Sequence, residues 1–183
     1  RMIPLPEHKC GLYLEHNPHN DLVHQKHNQP DGDYSIATWL QFTDEIGCAS
    51  TYDLSDEAKK EIIQKGEIWT IQWYPSTSIG FIASASFSPR KLLTDCGLDV
   101  KLSDPELIAL FPDHLWLKIE HNVHRNSWES ATDWLDGRSQ VWLSGADKRR
   151  AIDTDNIWAM EWRNSKRQYT LFASTLDVLL SGA

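Results

Sequence analysis

The residues best suited to chemistry are histidines that recur beside a glutamate and an asparagine. The stretch Glu15-His16-Asn17-Pro18-His19 returns 105 positions later as Glu120-His121-Asn122-Val123-His124. A carboxylate next to an imidazole is a combination used in general acid–base catalysis. The same residue types also hydrogen-bond the backbone of turns, which is the interpretation that we favour. If the chain is an enzyme, the catalytic candidates are Glu15, His16, His19, Glu120, His121 and His124.

Metal binding is a second chemistry that the histidines suggest. His16, His19, His24 and His27 lie close together in the sequence, and neutral imidazole is a common metal ligand. However, His16 lies on the apolar side of its predicted strand, and the second stretch lacks the insertion that carries His24 and His27. Four histidines without a carboxylate or thiolate also form an unusual zinc site. We therefore expect no tightly bound metal and no cofactor.

The two histidine stretches open two longer segments that match in order. Ile68–Trp73 returns as Ile157–Trp162, 89 positions later. Both segments end on paired leucines, at 92–93 and at 179–180. Features that recur in the same order indicate an internal repeat.

Hydrophobic periodicity gives each segment the element order β-α-α-β-β-α. The sequence therefore predicts an α+β protein made by tandem duplication of this unit, with a mainly antiparallel sheet and pseudo-twofold symmetry. Repeat 1 spans residues 11–96, repeat 2 spans residues 116–182, and residues 97–115 connect them through a short helix at 104–111. A copy of about 70 residues is marginal alone, so we expect the two copies to form one globular body.

Local patterns predict how these elements present their side chains. Alternation along the opening strands places His16 and His121 on the apolar side and their neighbouring glutamates on the other side. The first helix of each copy is predicted at 34–43 and at 128–136, with Trp128 in the inward stripe of the second. Ser55 and Gly66 have the residue types expected at the N-cap and the C-terminal end of the second helix.

Tryptophan is abundant, with nine residues in the chain. Six of them recur in pairs at positions that the periodicity assigns to the core: Trp39, Trp69, Trp73, Trp134, Trp158 and Trp162. Trp116 and Trp142 are expected to be more exposed. Together with Asn17 and Asn122, Trp116 and Trp142 are the ligand-binding candidates.

Composition limits the classes of partner. Hydrophobic residues make up 40% of the 183 residues, which is enough for a packed interior. The net charge of −8 argues against nonspecific nucleic-acid binding, which depends on clustered Lys and Arg. All of the excess negative charge precedes residue 116, where it forms either a solvated surface or a face for a basic partner.

The sequence also bears on the cellular setting. No stretch is long and apolar enough for a membrane span, and the first residues lack the apolar core of a signal peptide, so we expect a cytoplasmic protein. Cys10, Cys48 and Cys96 are odd in number and have no C-x-x-C spacing. We therefore expect reduced thiols.

Three functions remain open at this stage. The chain has no nucleophile elbow, P-loop, dinucleotide fingerprint or zinc-protease motif. The favoured hypothesis is a non-catalytic binding or interaction protein with a protein partner, such as an acidic bacterial or phage inhibitor or an immunity-type protein. The alternatives are a hydrolase-like enzyme that uses the repeated Glu-His-Asn-x-His stretch, and a small-ligand-binding module with a pocket between the repeats. The oligomeric state is left open.

Overall fold

The computed structural model describes residues 11–20, 35–37, 40, 54–73, 82–164 and 166–183. Over these residues the chain is an α+β protein with one six-stranded antiparallel sheet and six α-helices of defined extent, as the sequence predicts for the fold class. The strands are β1 (Leu12–His16), β2 (Trp69–Trp73), β3 (Ile82–Ser86), β4 (Trp116–His121), β5 (Trp158–Arg163) and β6 (Gln168–Ala173). The α-helices are α1 (Asp56–Lys65), α2 (Pro89–Asp95), α3 (Asp104–Ala109), α4 (Ala131–Leu135), α5 (Gly145–Thr154) and α6 (Leu176–Ser181).

The sheet has the strand order β3-β2-β1-β4-β5-β6, with every neighbouring pair antiparallel. β1 and β4 therefore lie side by side at its centre. In their register Leu14 is opposite Ile119, and His16 is opposite Leu117. A short 3-10 helix follows each central strand, η1 (Pro18–Asn20) after β1 and η2 (Val123–Ser127) after β4.

The side chains of the strands divide between two faces of the sheet. The face that carries His16 and His121, here called the histidine face, also presents Leu14, Ile119 and further apolar residues to the main core. Helices α2, α3 and α6 cover this face with buried leucines, namely Leu92, Leu93, Leu107, Leu176, Leu179 and Leu180. Removing so much apolar surface from water is the dominant favourable contribution to folding.

The opposite face, here called the glutamate face, carries Glu15 and Glu120. Two smaller apolar clusters pack on it. One places Ile62 of α1 beside Ile68, and the other places Trp134 of α4 beside Phe172 of β6. The central part of this face is polar.

The predicted caps of α1 are confirmed. The Ser55 hydroxyl accepts a hydrogen bond from the backbone N–H of Ala58, 3.1 Å away, which satisfies one of the unpaired donors of the first turn. Gly66 ends the helix with a φ of 69°, a left-handed conformation that costs glycine little.

The predicted helix at residues 128–136 is wrong in its first turn. Ser130 caps α4, which therefore begins at Ala131, and the preceding residues form η2. Trp128 lies between them with a φ of 60°, and its side chain is 82% exposed instead of facing the core. The helical spacing of Trp128 to Trp134 is thus accidental, because a cap interrupts it. Similarly, the connecting helix ends at Ala109, two residues earlier than expected.

The tryptophan predictions are mostly confirmed. Trp69, Trp134, Trp158 and Trp162 are buried. Trp116 is also buried, contrary to the expectation of exposure, because its indole lies against the polar side chains of the glutamate face. Trp142 is partly buried and packs on Phe172. The side chains of Trp39 and Trp73 lie outside the described part of the chain.

Within the helix predicted at 34–43, the structure describes residues 35, 36, 37 and 40, of which the last three are helical. Cys96 is buried, and burial together with Asp95 raises the pKa of its thiol to about 12. Cys10 and Cys48 lie outside the described residues. None of the described helices has the length and apolar character needed to span a membrane.

Candidate functional site

The repeated glutamates do not face the repeated histidines. Glu15 and Glu120 lie on the glutamate face, because successive residues of a strand project to opposite sides. Glu15 accepts a hydrogen bond from the indole Nε1 of Trp116 at 3.2 Å. Glu120 forms an ion pair with Lys118 at 2.8 Å. The structure therefore separates each Glu-His pair that the sequence places side by side.

Lys118 is the centre of a charge cluster on the glutamate face. Its ammonium lies 2.8 Å from Glu120 and 3.8 Å from Glu161. Burial alone would lower the pKa of Lys118, but the attraction of Glu120, Glu15 and Glu161 outweighs it and raises this pKa above its usual value. Lys118 therefore stays charged and serves as the counter-ion of the glutamates.

The two repeated asparagines hold the turns that follow the central strands. Asn17 and Asn122 have φ values of 52° and 51°, a left-handed conformation that asparagine tolerates. The backbone N–H of Asn17 donates to the carbonyl of Ile68, and its side-chain Oδ1 accepts from the Ile68 N–H. Asn122 makes the same two bonds to Ile157. These side chains therefore connect the end of a central strand to the start of its neighbour.

His16 is buried and has partners at both ring nitrogens. Its ring stacks on Trp69, with centroids 4.3 Å apart. Nε2 lies 2.8 Å from Oε1 of Glu67, and Nδ1 contacts Nε2 of His114. His114 in turn contacts the carbonyl oxygen of Phe111 through Nδ1, at 2.7 Å.

The number of protons in this chain of contacts follows from its end groups. The chain of contacts has three links, which run from Glu67 through His16 and His114 to Phe111. Both of its ends are acceptors, the carbonyl of Phe111 and the carboxylate of Glu67. Two neutral imidazoles supply only two protons, so three complete hydrogen bonds require one proton more. Burial, reinforced by His114 and His19, lowers the pKa of His16 to about 3. His16 is therefore neutral at neutral pH, with one ring nitrogen as a donor and the other as an acceptor.

His121 has a similar position but different partners. Its ring stacks on Trp158, with centroids 4.1 Å apart, and it is only partly buried. Nε2 lies 2.7 Å from Oδ1 of Asn156. The amide of Asn156 is oriented by Nδ2, which donates to the carbonyl of Ser174 at 2.8 Å. Oδ1 of Asn156 is thus an acceptor, and the proton of a neutral His121 lies on Nε2.

His19 and His124 are the second histidines of the two stretches, and both are buried. His124 contacts Oδ1 of Asp155 through Nε2 at 2.9 Å, and the same oxygen accepts from the N–H of Ala131. Burial lowers the pKa of His124, although Asp155 opposes the change. Burial also lowers the pKa of His19, to about 4. Neither ring has an exposed surface on which a substrate could bind.

A cavity of about 460 Å³ lies beside His121. His121, Trp158, Asn122 and Asn156 form one side, together with Arg125 of η2. The segment 97–99, which follows α2, and the first turn of α6 at 175–177 form the other side. Of the described candidate residues, only His121 and Asn122 line it. Trp116 and Trp142 do not.

The histidines do not form a metal site in the part of the chain that the structure describes. Within these ranges no group of three or more His, Cys, Asp or Glu side chains has an arrangement that could hold a metal ion. His16 is buried with a contact at each ring nitrogen, and His19 is buried as well. His24 and His27 lie outside the described residues.

Three residues that the sequence did not single out complete the environment of the histidines: Glu67, His114 and Asn156. A signal for two of them was present, since the offset of 89 that relates Ile68 to Ile157 also aligns Glu67 with Asn156. Each of these two residues lies two positions before the tryptophan that is opposite a histidine in the antiparallel pair. Strand register could predict such a diagonal contact. His114 gives no local signal, because it lies in the connecting segment.

Comparison with known proteins gives no match, since no family model matches the chain and no curated protein or solved structure is significantly similar to it.

Proposed function

We propose that this chain is a non-catalytic binding protein made of two diverged copies of one unit, and that the cavity beside His121 is its binding site. One observation carries the proposal. The side of the His16 ring that faces the connecting segment is filled by His114, whereas His121 borders an open cavity of about 460 Å³. A cavity of this size, with an aromatic wall and a few polar groups, is typical of a site for a small molecule.

The strand registers support the duplication. An offset of 105 converts the pair Leu12–His121 into the pair Leu117–His16, and both pairs occur in the β1–β4 register. Leu14 and Ile119 are related by the same offset and lie opposite each other, as expected if a twofold axis passes between them. The strand order, symmetrical about β1 and β4, is consistent with this relation.

The side-chain contacts support it as well. His16 stacks on Trp69 at an angle of 25°, and His121 stacks on Trp158 at 26°. Each histidine Nε2 then meets an oxygen of the residue two positions before that tryptophan, Glu67 in one half and Asn156 in the other. Arrangements repeated at this level of detail are those that two copies retain from a common unit.

The same comparison shows where the two halves differ. Asn20 in η1 donates from Nδ2 to the carbonyl of Leu115, so residues 114 and 115 lie against both His16 and Asn20. The offset of 105 aligns Asn20 with Arg125, and both Arg125 and His121 line the cavity. The cavity therefore lies beside the residues that the offset aligns with His16 and Asn20 of the other half.

The hydrolase alternative has less support. Acid–base catalysis by the repeated stretch needs the glutamate and the histidine at one reacting group. Glu15 and Glu120 lie on the opposite face of the sheet from His16 and His121. In addition, His16 is buried with contacts at both nitrogens.

The test is an NMR screen of small-molecule fragments against the labelled protein and two variants. Asp99→Trp puts a large side chain at the cavity wall, while Asp153→Trp makes the same change on the exposed surface of α5. We expect fragments that shift the amide resonances of His121 and Trp158 in the parent and in Asp153→Trp, but not in Asp99→Trp. If no fragment shifts these resonances, or if Asp99→Trp binds as the parent does, the cavity is not a binding site.

A further inference from the structure

We propose that the glutamate face carries a second binding site, a cavity lined by Arg138 and Glu120 that takes a small zwitterion with one carboxylate and one ammonium group, as in a free amino acid. The cavity has a volume of about 160 Å³. It lies on the opposite face of the sheet from the cavity beside His121, and it is independent of the proposed function.

The floor of this second cavity is formed by neighbouring strands of the sheet. Glu120 of β4 is opposite Ala159 of β5, and Ala159 is opposite Phe172 of β6. Because the side chain of alanine is a single methyl group, it leaves space between Glu120 and Phe172. Trp134 of α4 forms an aromatic wall, with its ring centroid 6.1 Å from that of Phe172. The cavity thus combines an aromatic wall with a charged floor.

Arg138 lines the cavity and is held in a fixed orientation. Its Nε donates to the carbonyl oxygen of Trp134 at 2.7 Å, and its guanidinium lies over the Trp134 indole, 4.2 Å from the ring centroid. In the described part of the chain, its two terminal nitrogens have no hydrogen-bond partner and the side chain forms no ion pair. A guanidinium held in this way is well suited to a carboxylate, because its planar fork matches the two oxygens. Arg138 therefore supplies the end of the cavity that binds an anion.

Glu120 lies at the negative end of the cavity. Its side chain is only 15% exposed, and its carboxylate pairs with Lys118 at 2.8 Å. Since a carboxylate can accept about four hydrogen bonds, Glu120 keeps capacity for a further donor. Lys118 also attracts Glu15 and Glu161, so three glutamates share one ammonium group. A second ammonium group is therefore favoured at this end.

The two ends carry opposite charges that do not neutralise each other. Arg138 and Glu120 line the same cavity, yet no ion pair joins them. A zwitterion places its carboxylate at Arg138 and its ammonium group at Glu120. A plain anion meets the glutamates and a plain cation meets Arg138, so each has one unfavourable contact. The volume of about 160 Å³ suits a molecule of the size of a small amino acid.

The probes are L-alanine and two analogues that each lack one charge. Alaninamide has no carboxylate, and N-acetylalanine has no ammonium group. In NMR titrations of the labelled full chain, we expect L-alanine to shift the amide resonances of Trp134 and Thr170, which line the cavity. Each analogue should bind at least about tenfold more weakly, because it loses one charge-assisted hydrogen bond.

Variants assign each charge of the ligand to one residue. Arg138→Gln should weaken the binding of L-alanine by about tenfold and leave that of alaninamide unchanged, because alaninamide has no carboxylate for Arg138. Arg138→Lys keeps the charge without the planar fork and should restore part of the loss. Glu120→Gln should weaken L-alanine but not N-acetylalanine. The control Arg149→Gln, on the exposed surface of α5, should leave all three affinities as in the parent.

The contrary outcomes are equally specific. If L-alanine shifts no resonance of the cavity, or if either analogue binds as tightly as L-alanine, the inference is overturned. Shifts at His121 and Trp158 alone would place the amino acid in the other cavity and overturn it as well. Arg138→Gln is the decisive variant, since Arg138 is exposed and its replacement should leave the fold intact. Equal losses for L-alanine and alaninamide in this variant would mean that Arg138 does not bind the carboxylate.

Discussion

His114 packs its imidazole against that of His16, although the two residues are 98 positions apart in the sequence and belong to different segments. This contact fixes the end of the connecting segment on the central strand β1. It also encloses His16 beneath Trp69 and His114, whereas His121 borders a cavity. The two repeated histidines should therefore respond differently to the same substitution.

His16→Ala should destabilise the protein more than His121→Ala. The first removes a buried ring and leaves Glu67 and His114 without their partner, at a cost of about 1–3 kcal/mol. The second removes a partly exposed ring with one described hydrogen bond, to Asn156, at a cost of about 1 kcal/mol or less. Chemical denaturation of both variants beside the parent measures the difference. Equal losses would mean that His114 adds nothing to the stability of the His16 side.

The free energy of unfolding should fall as the pH is lowered from 7.5 to 5.5. Burial holds the pKa of His16 at about 3 and that of His19 at about 4 in the folded protein, whereas both return to the ordinary value of 6.5 on unfolding. Below that value the unfolded chain binds protons that the folded chain does not, so each histidine contributes a slope of up to about 1.4 kcal/mol per pH unit. Urea titrations across this range measure the slope.

A matched variant identifies the source of this dependence. His19→Gln keeps a polar side chain of similar size but cannot take up a proton. The stability of this variant should change less steeply with pH than that of the parent, whatever its absolute value. A slope that is flat in the parent, or the same in both proteins, would contradict the assignment of neutral buried histidines.

Trp128→Gly should raise the stability. Trp128 has a φ of 60°, a backbone conformation that is strained for most residues other than glycine. Its side chain is also 82% exposed, so little packing is lost when it is removed. Relief of this strain is partly offset by the greater entropy of glycine in the unfolded chain. The net effect should raise the free energy of unfolding by about 0.5–1 kcal/mol. Trp128→Ala keeps a Cβ at the same φ and should change the stability little. If glycine proves no better than alanine in thermal melts, backbone strain at this position is absent.

The alternation of side chains along the strands could be predicted because it depends on neighbouring residues. Leu12, Leu14 and His16 share a face through the period of two in a strand, and the cap residues Ser55 and Gly66 act within one helix. The placement of Trp128 was missed because a periodic apolar pattern and a cap at Ser130 compete, and the cap prevails.

The candidate site was harder to predict because its decisive contacts are distant in the sequence. His114 reaches His16 through the path of the connecting segment, which no local pattern specifies. The cavity beside His121 also depends on residues 97–99, which come from the other end of that segment. Sequence reasoning found the histidines and their burial, but not which of the two is enclosed.

Asp147→Ala should be strongly destabilising. Asp147 is buried, and its carboxylate accepts from both the N–H and the hydroxyl of Ser174, which connects α5 to the end of β6. Removal leaves a buried donor without an acceptor and costs about 1–3 kcal/mol. Asp153→Ala, on the exposed side of the same helix, should change the stability by less than about 0.5 kcal/mol. Denaturation curves that coincide for the two variants would show that the Ser174 contact has no energetic role.

The most direct test of the proposed binding site is the position of a bound probe in solution. Isotope-filtered nuclear Overhauser measurements on a fragment that binds the labelled full chain report which protons lie within a few ångströms of the fragment. We predict contacts from the protons of the fragment to the side chains of His121 and Trp158. Contacts to His16 and Trp69 instead, or to no residue of the cavity, would contradict the proposal that the chain binds its ligand beside His121.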